Sequence, residues 1–182
     1  DGRRAFRDAA TTAAYESDHR GERGEEAHER RALEGEYRGG PHRPFGWGVP
    51  TGVVRRVRDK RTGTYRDVEI LDMGRHNEVE AAQIRRRADD VLADVELNQV
   101  TRSTTVGTIT GAPWHPNVVR NILLSPRVAG HSVYKGEIVK RNAWDPILDE
   151  DTWQAVRTKL TDPARRTSPG SVPKWQGSRI YL

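Results

Sequence analysis

The chain has no cysteine among its 182 residues. Disulfide stapling and any thiolate zinc site are thereby excluded within it, and the composition fits a reducing, cytoplasmic compartment. No apolar run approaches membrane-spanning length, and there is no cationic, apolar, small-residue leader, so nothing in the sequence argues for secretion. Apolar residues are scarce too, at 34% against 31% charged. A continuous core through the whole chain is hard to build from that composition, so long solvated or ligand-covered segments are expected beside one domain of ordinary size or two small ones. Acidic residues number 26 against 31 Lys and Arg, a net charge of +5. That excess suggests nucleic acid without proving it, and where the charge sits matters more than its sum.

Residues 3 to about 37 contain no proline, and Phe6, Ala9, Ala10, Ala13, Ala14 and Ser17 fall on one stripe at helical spacing. From Asp18 to Glu36 the stripe fades into Glu and Arg, relieved only by Ala27, Ala32 and Leu33. Such a helix cannot bury a face of its own; it continues as a solvated rod, pairs with a partner or lies against a polyanion. Gly39, Gly40, Pro41, Pro44, Gly46, Gly48 and Pro50 then break the chain. Among these breakers sit Arg38, His42, Arg43, Phe45 and Trp47, cations and aromatics where a generic spacer would carry Ser and Gly.

Val53–Arg58 and Tyr65–Leu71, around Asp59-Lys60-Arg61-Thr62-Gly63, read as a small exposed hairpin. Asn77 suits the cap of a helix from about Glu78 to Ala93, with Val79, Ala82, Ile84, Ala88, Val91 and Leu92 available to a core. A short helix from Leu97 to Ser103 follows. Pro116 then opens another, with Val118, Val119, Ile122 and Leu123 buried and Asn117, Arg120 and Asn121 outside. Two helices with Asn and Arg on the outer face of the second outline a helix-turn-helix reader, with a longer connection than usual. His131–Lys140 reads as a second hairpin around Lys135-Gly136, and Asp149 caps a last helix over about 150–161, carrying Trp153, Val156 and Leu160. The whole is an α+β, mostly helical chain: a connecting helix over 1–37, a Gly/Pro linker over 38–50, a compact domain over 51–163 and a Pro, Gly, Ser and Arg-rich tether over 164–182.

Several stretches carry a resemblance. Gly2-Arg3 with Tyr15-Glu16-Ser17 resembles the start of the long helix that leaves the catalytic domain of large serine recombinases, the phage-integrase type. Gly39 to Trp47 is similar to that family's Gly-Gly-x-x-Pro-Phe-Gly-aromatic linker. Trp114-His115-Pro116, Arg120-Asn121-Ile122-Leu123, Pro126-Arg127 and Ala129-Gly130 resemble its recombinase-domain segment, although His115 stands where Thr is usual and Leu97–Thr110 departs from the pattern. Trp144, Pro146-Ile147, Asp149-Glu150 and Trp153 to Val156 match the stretch that follows, Asp162 to Arg166 closes it, and Trp175 to Leu182 resembles the lead-in to a zinc-ribbon domain.

The resemblance implies site-specific integration or excision of DNA, dimers on each attachment site and a tetramer at synapsis. A serine hydroxyl would attack a phosphodiester from a domain N-terminal to Asp1, so no catalytic residue is expected in this chain; Ser17, Ser103, Ser125 and Ser132 read as turn or surface residues. Alone, the chain should be inactive. No cofactor is expected within it, and zinc would belong to a following domain. His28-Glu29 begins like a zincin motif, but Ala32 stands where the second His belongs.

The partner expected is double-stranded DNA, with Arg38, His42, Arg43 and Phe45 of the linker and Asn117, Arg120, Asn121 and Arg127 of the domain as candidate contacts. A thin Gly/Pro strap fits the minor groove, where arginines meet concentrated negative potential, although Phe45 and Trp47 are equally suited to pinning it to the core. Asn and Arg suit base edges in the major groove. Arg55, Arg56, Arg58, Lys60 and Arg61 read as a phosphate rail or an ordinary solvated strand edge. Trp114, Trp144 and Trp153 suit packing anchors better than base stacking. The alternatives are a non-enzymatic helix-turn-helix regulator and a coiled-coil scaffold, the latter disfavoured because residues 18–36 lack sustained apolar heptads.

Overall fold

A computed structural model describes residues 2–37, 39–40 and 42–162, with residues 2–14 as backbone. The expected tether over 164–182 and its zinc-ribbon lead-in lie outside the described residues, as does Arg38. The elements run α1 (Gly2–Glu34), β1 (Trp47–Arg58), β2 (Tyr65–His76), α2 (Glu78–Leu92), α3 (Leu97–Arg102), α4 (Pro116–Leu124), a 3-10 turn (Pro126–Ala129), β3 (Ser132–Tyr134), β4 (Glu137–Lys140) and α5 (Glu150–Thr161). The strands make two separate antiparallel hairpins, β1–β2 and β3–β4, so the class is α+β with helices supplying the core.

That core is laid down at helical spacing. Ala81, Ile84, Ala88 and Val91 of α2 are fully buried, as are Val119 and Leu123 of α4 and Val156 of α5, with Trp153 and Val100 beside them. Three residues expected in the core are outside it: Val79 is 66% and Val118 44% exposed, and Ala82 is exposed as well. Each lies one position off its helix's buried stripe, which is too narrow to include them.

The caps are those the residue types favour. Asn77 Oδ1 accepts from the Glu80 amide at 3.3 Å, and Asp149 Oδ1 from the Thr152 amide at 2.8 Å. At α4 the side chain of His115 does the work of the usual hydroxyl, Nδ1 accepting from the Asn117 amide at 3.2 Å, with Pro116 at the first helical position.

The first hairpin is longer than the sequence suggests. Its strands begin at Trp47 and end at His76, because pairing continues through a register shift between Pro50 and Val54 down to Trp47 opposite His76. The last residues of the expected linker are therefore strand. Only the base of the hairpin is packed: Trp47 is buried, whereas the strands from Pro50 to Arg58 and from Tyr65 to Ile70 are exposed apart from half-buried Val57.

The last turns of α1 rest on the second hairpin. Ala32 is fully buried, Lys140 Nζ donates to the Glu34 carbonyl at 2.9 Å, and Lys135 pairs with Glu25 at 3.2 Å. A lysine on the terminal carbonyl of a helix satisfies an orphan acceptor and complements the helix dipole. Upstream of these contacts, residues 15–22 are exposed, the solvated-rod outcome. No helix among the described residues is long and apolar enough to cross a membrane.

Asp149 gives a direct check on the capping scheme. Backbone and hydroxyl donation from Thr152 holds its carboxyl below the ordinary value, so its contribution is complete above the unfolded carboxyl pKa of about 4 and is lost as the pH falls through the lower folded value. Asp149→Ala should cost about 1 kcal/mol in urea unfolding at neutral pH, and the difference from wild type should shrink on acidification. A difference that grows below pH 4 would contradict this.

Candidate nucleic-acid interface

The strap between α1 and β1 is held on α2 by one carboxylate. Glu80 accepts two bonds from the Arg43 guanidinium, one of them at 2.7 Å, and a third from the Gly46 amide at 2.8 Å. Arg43 Nη1 also donates to the Trp47 carbonyl at 2.7 Å. The pair is largely buried, with 22% of the Arg43 and 8% of the Glu80 side chain accessible. The hydrogen bond to Glu80 raises the Arg43 pKa against the opposing effect of burial. Gly46 adopts φ +96°, and a Cβ there would lie 2.7 Å from both Ile84 and Ile147, so only glycine passes between these side chains.

Three further arginines are absorbed by the fold. Arg87 is fully buried, its guanidinium 3.9 Å from the Trp114 ring centroid and 5.5 Å from that of Phe45, with Nη2 donating to Thr104 Oγ1 at 3.0 Å. Arg127 lies 3.9 Å from the Trp144 centroid and 4.8 Å from that of Trp47, with Nη2 on the Met73 carbonyl at 2.9 Å. Burial pushes both down to about 10. Their Nε atoms have no hydrogen-bond partner, and the aromatic faces supply the electrostatic compensation instead. Arg120 Nη2 donates to the Leu160 carbonyl at 3.2 Å, in the last turn of α5.

The sequence-derived candidates thus separate. Phe45 is a core residue, 6% exposed and edge-on to Trp114 at 5.0 Å. Arg43, Arg120 and Arg127 are turned into the protein. His42 is exposed on the strap, its carbonyl accepting from the Tyr37 hydroxyl at 3.2 Å. Asn117 and Asn121, four residues apart, are exposed on one face of α4, with Val118 between them and three residues before Asn121. On α3, Asn98, Gln99 and Arg102 are exposed. The thirteen-residue connection 103–115 is tied back by Trp114 Nε1 to the Val106 carbonyl at 2.6 Å and by Thr108 Oγ1 to the Ala112 carbonyl at 2.6 Å.

Two features escaped sequence reasoning. Glu80 stands in the first turn of α2, where an acid is favoured by the helix N-terminus alone and so does not announce a distant partner. The second was available to a count: residues 97–136 contain no Asp or Glu, although 26 acids in 182 residues would place about six in a stretch of that length. This acid-free run spans α3, the connection and α4, so the exposed Asn face lies on a segment that carries Arg102, Arg120, Arg127 and Lys135 and no opposing charge.

The family model described as Recombinase matches residues 78–163. Over these residues, from α2 to α5, the chain is similar to that family. The match begins at the first residue of α2 and runs to just past α5, so the matched stretch contains the acid-free segment and Glu80, while the strap and β1–β2 precede it. A crystal structure described as that of an LSR–DNA complex shares the fold, with a TM-score of 0.50 and 18% identity over 74% of this chain and 36% of that one. The present chain spans about a third of that structure's length. No curated protein matches. Among the described residues no cluster of three His, Asp or Glu is placed to hold a metal ion.

If Glu80 is what seats the strap, Glu80→Ala should destabilise the chain by about 3 kcal/mol, since it leaves the Arg43 guanidinium partly buried and unpaired. The double variant Arg43→Met/Glu80→Leu should recover most of that loss. Urea unfolding of the two variants measures both, and a double variant no better than Glu80→Ala would contradict the assignment.

Proposed function

We propose that this chain is the DNA-binding portion of a site-specific serine recombinase, recognising attachment-site duplex DNA for integration and excision. The observation that carries the reading is the outward Asn117–Val118–Asn121 face of α4 within a forty-residue stretch free of acids. Asn pairs with adenine edges in the major groove, and a β-branched side chain between two such residues suits a thymine methyl. The connection and α3 flank that face, and Arg102 supplies a cation for phosphate.

In this reading the arginines behind the face are supports. Arg120 braces α4 on the end of α5, Arg127 locks the base of β1–β2, and Arg43 seats the strap, whose outer edge at Gly39, Gly40 and His42 follows the minor groove with Arg38. A thin backbone with few side chains is what that narrow groove admits. The neighbouring structure's DNA complex supports the same partner class. The phosphodiester chemistry would come from a serine on a domain preceding α1. Residues 1–37 would connect to it and assist dimers on each site and a tetramer at synapsis, and residues 164–182 would lead to a zinc-ribbon domain holding the metal.

Duplexes selected from a random pool by the chain provide the test. Asn121→Ala should lose preference at one base position, worth about 1–3 kcal/mol, and leave the salt dependence of binding unchanged. Arg102→Gln should weaken selected and random duplexes alike and lower the slope of log K against log salt by about 0.9. An Asn121→Ala protein that binds both pools equally less well would refute base reading by α4.

A further inference from the structure

The hairpin β1–β2 is unexplained by that reading. From Pro50 it runs free of the core for about 25 Å to its tip at about 3.3 Å per residue. A two-stranded ribbon without a third strand or a helix on its face is only marginally stable in water. This one nevertheless exposes Val53, Val54, Tyr65, Val68 and Ile70.

Its charges are sorted by face. The register pairs Val54 with Glu69, Arg55 with Val68, Arg56 with Asp67, Val57 with Arg66 and Arg58 with Tyr65, and directly opposed residues share a face. One face therefore carries Arg55, Val57, Arg66, Val68 and, next along β2, Ile70. The other holds Val54, Arg56, Arg58 and Tyr65 together with two of the three strand acids, Asp67 and Glu69. Arg56 on that face stacks 5.2 Å from the Tyr65 centroid and stands opposite Asp67. Of the two remaining acids of the hairpin, Asp72 follows Ile70 on the first face, at the base opposite half-buried Val49, with its carboxylate accepting from the Gly74 amide at 2.9 Å, and Asp59 is consumed by the turn. Its carboxylate accepts from the amides of Arg61 and Thr62 at 2.8 and 3.3 Å, and these bonds hold its pKa down. Lys60 and Arg61 are left exposed at the tip.

We propose that the acid-free outer part of this face, over residues 54–58 and 65–70, is a second DNA-contacting surface, on which Arg55 and Arg66 neutralise backbone phosphates outside the stretch read by α4. The proposal rests on the DNA-binding reading above and adds a separate element to it. A flat two-stranded ribbon has the width that a major groove or its phosphate edge accepts. Over the outer ribbon, the segregation of Asp67 and Glu69 onto the opposite face is what contact with a polyanion requires and what an ordinary solvated edge does not. A protein partner is the poorer fit, because the one aromatic of the ribbon, the residue type that anchors protein interfaces, lies on the other face.

The test compares two double variants of the whole chain, Arg55→Gln/Arg66→Gln and Arg56→Gln/Arg58→Gln, binding a long mixed-sequence duplex over a series of salt concentrations. All four positions are exposed, so both variants should retain the wild-type unfolding midpoint. The first should lower the slope of log K against log salt by about 1.8, two contacts at about 0.9 each, and the second should leave it within about half a contact of wild type. Equal slopes for the two variants, whether both reduced or both unchanged, overturn the assignment of this face. So does a change in the sedimentation of the DNA-free chain on Arg55→Gln/Arg66→Gln, which would mark the face as a self-association surface. A wild-type chain with no salt-dependent binding would defeat the DNA-binding reading itself, a result separable from the other outcomes.

Discussion

The placement of the strap depends on Glu80. A Gly/Pro-rich segment has no regular hydrogen bonding of its own, and its course is fixed only where other groups supply partners. Here a carboxylate in the first turn of α2 gathers the Arg43 guanidinium and the Gly46 amide, while Arg43 returns to the Trp47 carbonyl. Phe45 and Trp47 then enter the core on either side of a glycine that slips between Ile84 and Ile147. At the other end of the strap the last turns of α1 rest on β3–β4, with Ala32 buried there and Lys140 and Lys135 reaching the Glu34 carbonyl and the Glu25 carboxylate.

The same logic of compensation governs the buried cations. Arg87 and Arg127 have no carboxylate partner in the fold and sit instead against tryptophan rings, each with one guanidinium nitrogen on an oxygen. Cation–π contact in a desolvated site is worth more than at the surface, and the planar guanidinium stacks where an ammonium would not. Trp114 and Trp144 are therefore anchors for cations as much as apolar filler. They explain how a chain with so few apolar residues closes a core around five helices and a 3-10 turn.

Local chemistry was legible and long-range chemistry was not. Asn77, Asp149 and Pro116 announce helix starts through side chains that act within three residues, and β-branched runs around Asp59 to Gly63 and around Lys135-Gly136 announce the hairpins. Arginine is ambiguous in sequence because its role depends on distant partners. Arg43 meets a residue 37 positions away, Arg120 one 40 away and Arg127 one 54 away, and nothing in their neighbourhoods separates them from solvent-facing cations. The asparagines of α4 kept the outward placement that the helical period gives them. The absence of acids over 97–136 was the more informative signal, since repulsion from a polyanion acts on a whole surface while any one contact can be replaced.

The proposed DNA face is built from α3, the connection and α4, and inward arginines hold this face and the strap in place. Amide hydrogen exchange with and without a selected duplex tests that placement directly. Added protection should concentrate in residues 97–124, on the strap and on the outer part of β1–β2, with α5 and residues 15–30 of α1 unchanged. Protection confined to α1, with none over 97–124, would contradict it.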